Sequence, residues 1–301
     1  RMPADAGPPA DAAGTGGACA RTYAAPRVLA RLVGAELAEV SGVAASRFAP
    51  GVLWMHNDSG DTARLFAVGP DGAVLGRLTL PGVTAVDFED LALAPCPEGA
   101  GDCLWVADTG DNERVRQDAV VYAVPEPPVR VAAFRDRVAS RVWRFPFTWP
   151  GGPRDSEALA VSPDGQAFYL LDKDLGGQTS VFAHPGPLVD DAAVLLRLLA
   201  TFPTPGVDFD NGRQVTAAAL HPHGDRLLVR VYTGSYEYRL GPGQTLADLE
   251  AVAPARVALG PLDEPQGEAI TYTAEGDAVV TVSEDPTLAG GQPVHRYDCR
   301  D

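Results

Sequence analysis

One short pattern recurs five times along the chain, and it constrains the fold more than any other feature of the sequence. A strand-like segment opens at Ser41-Gly42-Val43-Ala44, Glu89-Asp90-Leu91-Ala92, Glu157-Ala158-Leu159-Ala160, Thr216-Ala217-Ala218-Ala219 and Glu268-Ala269-Ile270-Thr271. The openings lie 48, 68, 59 and 52 residues apart, the spacing of an array built from one supersecondary unit. Each segment runs into a Pro- or Gly-bearing turn such as Ser162-Pro163-Asp164-Gly165, His221-Pro222-His223-Gly224 or Ala274-Glu275-Gly276, which predicts a hairpin. A second strand follows over 52–55, 103–106, 167–170, 226–229 and 278–281, rich in β-branched and aromatic residues.

A third strand carries a ring in one column, at Phe66, Tyr122, Phe182, Tyr238 and His295, which core packing explains. A fourth is visible over 74–80 and 142–147. Four-stranded antiparallel units repeated radially make an all-β, five-bladed β-propeller. The fifth copy lacks a fourth strand, and the segment 25–37 is expected to supply it and close the ring. Residues 1–18 are almost entirely Ala, Gly, Pro, Asp and Thr; such a segment cannot bury apolar surface and reads as a flexible leader ahead of a single propeller domain over 19–301.

The four cysteines show no Cys-x-x-Cys spacing, so disulfides are expected rather than a zinc site. Cys19 precedes the closing strand and Cys299 follows the last third strand, which would place them together. Cys96 and Cys103 flank the first turn of the second blade. Disulfides imply an oxidising compartment, and the chain is read as secreted, periplasmic or at the cell surface. With a formal charge of -16, nucleic acid and anionic membranes are poor partners. No apolar stretch reaches the roughly 20 residues of a span. A monomer is expected.

Inner strands of a propeller start at one face, and the loops between second and third strands return to it. Those loops are acidic: 56–61, 108–112 and 172–174 carry six aspartates, and 284–286 opens on Glu284-Asp285. Ser41, Glu89, Glu157, Thr216 and Glu268, first in their strands, should converge near the axis. Three carboxylates brought together repel one another unless a cation intervenes, and calcium takes six to eight oxygen ligands. These five are therefore the candidate ligands of a Ca2+ ion. Asp58, Asp108 and Asp172 are candidate water-orienting bases, and His56 is a candidate general base. Arg154, Lys173, Arg213 and Arg230 are candidates for holding a small anionic or polar ligand beside the ion.

The strand openings Glu39-Val40-Ser41-Gly42-Val43, Phe88-Glu89-Asp90-Leu91-Ala92, Asp155-Ser156-Glu157-Ala158, Val215-Thr216-Ala217 and Gln266-Gly267-Glu268-Ala269-Ile270, with Asn57-Asp58-Ser59-Gly60, resemble those of the soluble calcium-activated nucleotidases, or apyrases. The resemblance implies a five-bladed propeller with a central calcium held by Ser and Glu, and hydrolysis of nucleoside di- and triphosphates. Asp90 stands where that family carries a Trp. The short motifs are also similar to secreted bacterial propellers described as phytase-like or SdiA-regulated.

Two functions of different class follow: a calcium-dependent hydrolase of phosphoester or phosphoanhydride bonds, or a non-catalytic ligand- or protein-binding propeller with a structural calcium. The insertion over 127–140, with Arg130, Arg135 and Arg137, is a candidate protein-contact segment in the second case. No Gly-x-Ser-x-Gly, P-loop or His-Glu-x-x-His motif occurs, so serine-hydrolase, P-loop and zincin chemistry have no support.

Overall fold

Every inner strand pairs antiparallel with the strand that follows it, and the five resulting sheets stand around one axis. A computed structural model describes residues 22–34, 36–99, 101–207, 211–259, 264, 266–284 and 291–300, with backbone alone at 258–259. The inner strands are Val40–Ala45, Phe88–Pro95, Ser156–Val161, Val215–Leu220 and Gly267–Tyr272. Each contacts the inner strand of the next blade, and the last contacts the first. The sheet order runs outward from these strands in all five blades, so the five-bladed propeller expected from the repeats is the fold observed.

The ring closes as the sequence predicts. Arg27–Arg31 pairs antiparallel with Pro293–Arg300, Val28 opposite His295, and becomes the outer strand of blade 5. A second short strand, Thr22–Tyr23, continues along the same edge opposite Cys299 and Arg300. Cys299 is disulfide-bonded; its expected partner Cys19 lies outside the described residues, as do the 1–18 leader and Asp285. Cys96 and Cys103 form the expected bridge across the first turn of blade 2.

Alternation along the strands dictates where the core lies, since side chains of period two face the neighbouring blade on both sides of each sheet. Apolar clusters fill the interfaces between successive blades. Trp54, Leu65, Leu78, Leu91, Leu104 and Phe134 pack between blades 1 and 2; Trp105, Phe145, Phe168 and Phe182 pack between blades 2 and 3. The ring column Phe66, Tyr122, Phe182, Tyr238 and His295 is buried throughout.

The 127–140 insertion docks rather than projecting. Phe134 is buried edge-on against Trp54 at 5.7 Å, and Arg137–Val138 adds a parallel strand to the outer edge of blade 1. Val194–Leu195 does the same from blade 3 onto blade 2. Among the described residues no helix is long and apolar enough to cross a membrane.

Candidate metal centre

The register of every inner strand slips at the same place. Pairing jumps from Val40 to Gly42, Phe88 to Asp90, Ser156 to Ala158, Val215 to Ala217 and Gly267 to Ala269. The residues skipped are Ser41, Glu89, Glu157, Thr216 and Glu268. A bulge leaves one residue outside the ladder and re-aims its side chain. Five bulges in one register thus set the five candidate ligands at equivalent positions, all buried.

Their hydrogen bonds differ from blade to blade. Ser41 Oγ donates to the Glu89 carbonyl at 2.7 Å, and Thr216 Oγ1 donates to the Gly267 carbonyl at 2.7 Å. Both hydroxyls stitch one blade to the next. Glu268 accepts from Gln266 Nε2 at 3.0 Å, and burial raises its pKa to about 7.

Glu89 and Glu157 are drawn instead into a lopsided cluster on the blade 1 to blade 3 side. One oxygen each from Glu89, Asp155 and Glu157 lie within 4.8 Å of one another, and so do those of Asp58, Asp87 and Glu89. Glu89 belongs to both triplets. Asp87 and Asp155 precede their bulged glutamates by two residues, and sequence reasoning missed both. The repeated Asp-x-Glu spacing at Asp87-Phe88-Glu89 and Asp155-Ser156-Glu157 was the available signal, because residues two apart share one face of an extended chain.

Gly110 closes the cluster. A Cβ there would meet Glu89 Oε1 at 1.9 Å and Asp87 Oδ2 at 2.4 Å, so bare backbone is what leaves room for the carboxylates. Burial, then the charges of Glu157 and Asp58, push the Glu89 carboxyl well above its ordinary range. Burial and Asp58 raise Asp87 to about 7. The donor set is made of carboxyl oxygens throughout, and it could hold a metal ion.

The cationic group bonded within this cluster is the chain's single lysine. Lys173 Nζ donates to Glu157 Oε1 and to Tyr232 Oη at 3.0 Å. Burial works against its charge, but the Glu157 carboxylate outweighs that and holds the ammonium protonated. The loop that Lys173 shares with Asp172 and Asp174 borders a cleft of about 210 Å³ with Arg114, Arg154 and Asp155. Arg114 adopts a φ of 56°, a conformation costly for a residue with a Cβ and frequent at ligand sites.

The remaining candidates are not members of the two carboxylate triplets. Asp108 accepts the Asp87 amide at 3.0 Å and pairs with Arg116 at 2.8 Å. Asp172 pairs with Arg154 at 2.7 Å. His56 is buried between blades 1 and 2, edge-on to Phe88 at 5.6 Å, and burial lowers its pKa. Of the four candidate bases only Asp58 joins the cluster. Arg230 is buried on Glu264 at 2.9 Å, and Arg213 donates to the Thr204 and Gly177 carbonyls, both at 2.8 Å. Arg154 lines the cleft while stacking on Phe182 at 4.9 Å.

Asp90, one residue past the blade 2 bulge, is a plug inside the ring. Its Oδ1 accepts the Leu91 amide at 2.8 Å. Its Oδ2 accepts the amides of Leu159, in blade 3, at 2.8 Å and Ala218, in blade 4, at 3.0 Å. Three inner strands therefore meet on one carboxyl, whose pKa burial raises while the three amides pull it down.

No protein-family model matches the chain, and no curated protein matches it. Among solved structures, the PQQ-bound aldose sugar dehydrogenase of Streptomyces coelicolor matches with a TM-score of 0.48 at 12% identity, over 90% of this chain and 96% of that one. The gluconolactonase XC5397 of Xanthomonas campestris matches with a TM-score of 0.47 at 16% identity, over 87% and 73%. A luciferin-regenerating enzyme matches with a TM-score of 0.43 at 14% identity, over 86% and 77%.

Proposed function

We propose that this chain is an exported calcium-binding propeller that takes a phosphate-bearing anionic ligand at its acidic face and hydrolyses its phosphoester or phosphoanhydride bond. The observation that carries the reading is the sharing of Glu89 between two carboxylate triplets, closed over by the bare backbone of Gly110. Five carboxyls in two triplets that share one glutamate are unfavourable as carboxylates unless a cation neutralises them. An all-oxygen set of this size suits calcium better than magnesium, which prefers tight octahedra rich in water, or zinc, which prefers His and Cys. Bound calcium would supply charge neutralisation and Lewis-acid polarisation of a phosphoryl oxygen.

The chain's own residues supply the rest. Arg114, Arg154 and Lys173 line the cleft alongside Asp155, Asp172 and Asp174, and these three cations are the groups that would meet a phosphate there. Asp58, half-buried at the rim of the cluster, is the candidate that orients water. The resemblance of the strand openings to calcium-activated nucleotidases supports the same reading, and the Cys96–Cys103 disulfide supports an oxidising compartment.

A second reading, a binding propeller without turnover, is favoured by one observation: Asp108 and Asp172 are locked in arginine pairs and His56 is buried. The deciding experiment is phosphate release from nucleoside di- and triphosphates and from p-nitrophenyl phosphate by chelator-treated protein, with and without added calcium. Calcium-dependent release lost in Asp58→Asn supports hydrolysis. Calcium-dependent binding of these compounds without release selects the second reading.

A further inference from the structure

The hairpin turn of blade 4, His221-Pro222-His223-Gly224-Asp225, lies at the far ends of the inner strands, on the face opposite the carboxylate cluster. Blades 1, 3 and 5 place Ser or Thr at the first position of this turn, as Ser46, Ser162 and Thr273, and blade 2 places the disulfide-bonded Cys96. In blades 3 and 5 the hydroxyl serves the turn: Ser162 Oγ accepts the amides of Gln166 and Ala167, and Thr273 Oγ1 donates to Asp277. Blade 4 has an imidazole instead.

His221 is fixed from two sides. Its Nε2 faces the Gly276 carbonyl of the next blade at 3.3 Å, and Tyr272 packs edge-on at 4.8 Å. A Cβ at residue 276 would lie 2.3 Å from Nε2; the turn keeps that position bare through the left-handed φ, 73° at Gly276, that it shares with the turn glycines Gly165 and Gly224. Facing a carbonyl, Nε2 carries the hydrogen, and Nδ1 presents its lone pair.

Beside Nδ1 lies an oxygen that also lacks a hydrogen. His221 Nδ1 is 3.3 Å from Asp225 Oδ1, which is shielded from solvent and receives no hydrogen bond. Asp225 Oδ2 is turned to Arg226 Nε at 3.6 Å. The His223 amide, 3.1 Å from Nδ1, satisfies the imidazole and leaves Oδ1 alone. The exposed His223 ring stands 4.9 Å from the His221 ring, and one donor atom from each of the three side chains lies within 4.8 Å of the other two.

We propose that His221, His223 and Asp225 form a binding site for one divalent transition-metal ion of the zinc class. Two imidazoles and one carboxylate suit zinc, nickel or copper, whereas calcium takes oxygen donors. The ion replaces the single amide contact on Nδ1 and gives Asp225 Oδ1 the partner it lacks. The Gly276 carbonyl acts as the outer partner that fixes the imidazole tautomer, as is usual for ligating histidines. Three protein donors leave a coordination position open to water or to a donor from another molecule.

The test is titration of Zn2+ into the full chain held in saturating calcium, so that the acidic face is occupied, followed by Co2+ as a spectroscopic probe. The expected result is one zinc ion whose affinity falls at least roughly tenfold in both His223→Ala and Asp225→Asn, with visible Co2+ absorption lost in the same variants. His223 is exposed, so its replacement leaves the blade folded, and the fold of each variant is checked by its far-ultraviolet spectrum. Zinc binding that is absent, or indifferent to His223→Ala, overturns the proposal.

Discussion

The ammonium of Lys173 bonds the buried carboxylate of Glu157, joining a loop to the bulged residue of the adjacent inner strand. Glu157 opens an otherwise apolar strand, and burial pushes its carboxyl up while Lys173 pulls it back down. This pair, beside carboxylates with no lysine of their own, gives the acidic face its asymmetry.

Removing one partner of a buried ion pair leaves an uncompensated charge at a cost of about 3 kcal/mol or more. Lys173→Met is therefore expected to lower stability by that order in chelator. Calcium should restore a larger part of stability in the variant than in the parent. Denaturant unfolding with and without calcium measures both effects.

Asp90 should matter to folding through its acceptors. Asp90→Ala strands the amides of Leu91, Leu159 and Ala218 inside the ring, each at roughly 1–3 kcal/mol. Asp90→Asn keeps a carbonyl oxygen for part of the set and should cost less. Equal losses in the two variants, read from urea midpoints, would contradict the plug assigned to this residue.

Blade 5 holds a buried carboxylate of the opposite kind. Burial alone would raise Glu264, but Arg230, with His295 and Thr281, outweighs it and holds the pKa at about 2. A carboxylate depressed from 4.5 to about 2 contributes roughly 3 kcal/mol of stability above pH 4.5, lost as pH falls towards 2. Glu264→Gln should accordingly be much less stable than the parent at pH 7. The gap should narrow as pH drops below 4.5, as thermal unfolding at a series of pH values will show.

Much of this architecture was legible because it repeats. Ser41, Glu89, Glu157, Thr216 and Glu268 could be named from strand openings, and each proved to be the bulged residue of its blade. What was lost in reading was the asymmetry. Ser41 and Thr216 spend their hydroxyls on neighbouring carbonyls, a choice set by contacts 48 and 51 residues away in sequence. Asp87 and Asp155 lie two residues before their bulged glutamates, outside the repeated strand openings that mark the other candidates.

The acceptor role of Asp90 depends on amides 69 and 128 residues distant, which no local pattern encodes. The parallel strands Arg137–Val138 and Val194–Leu195 are two residues long, too short to show a period.

The most direct test of the account is isothermal titration of calcium into chelator-stripped protein, run beside Glu89→Gln and Glu268→Gln. One calcium ion per chain is predicted, weakened at least roughly tenfold, about 1.4 kcal/mol, by Glu89→Gln and distinctly less by Glu268→Gln. Absence of calcium binding in the parent, or binding that Glu89→Gln leaves unchanged, would contradict it.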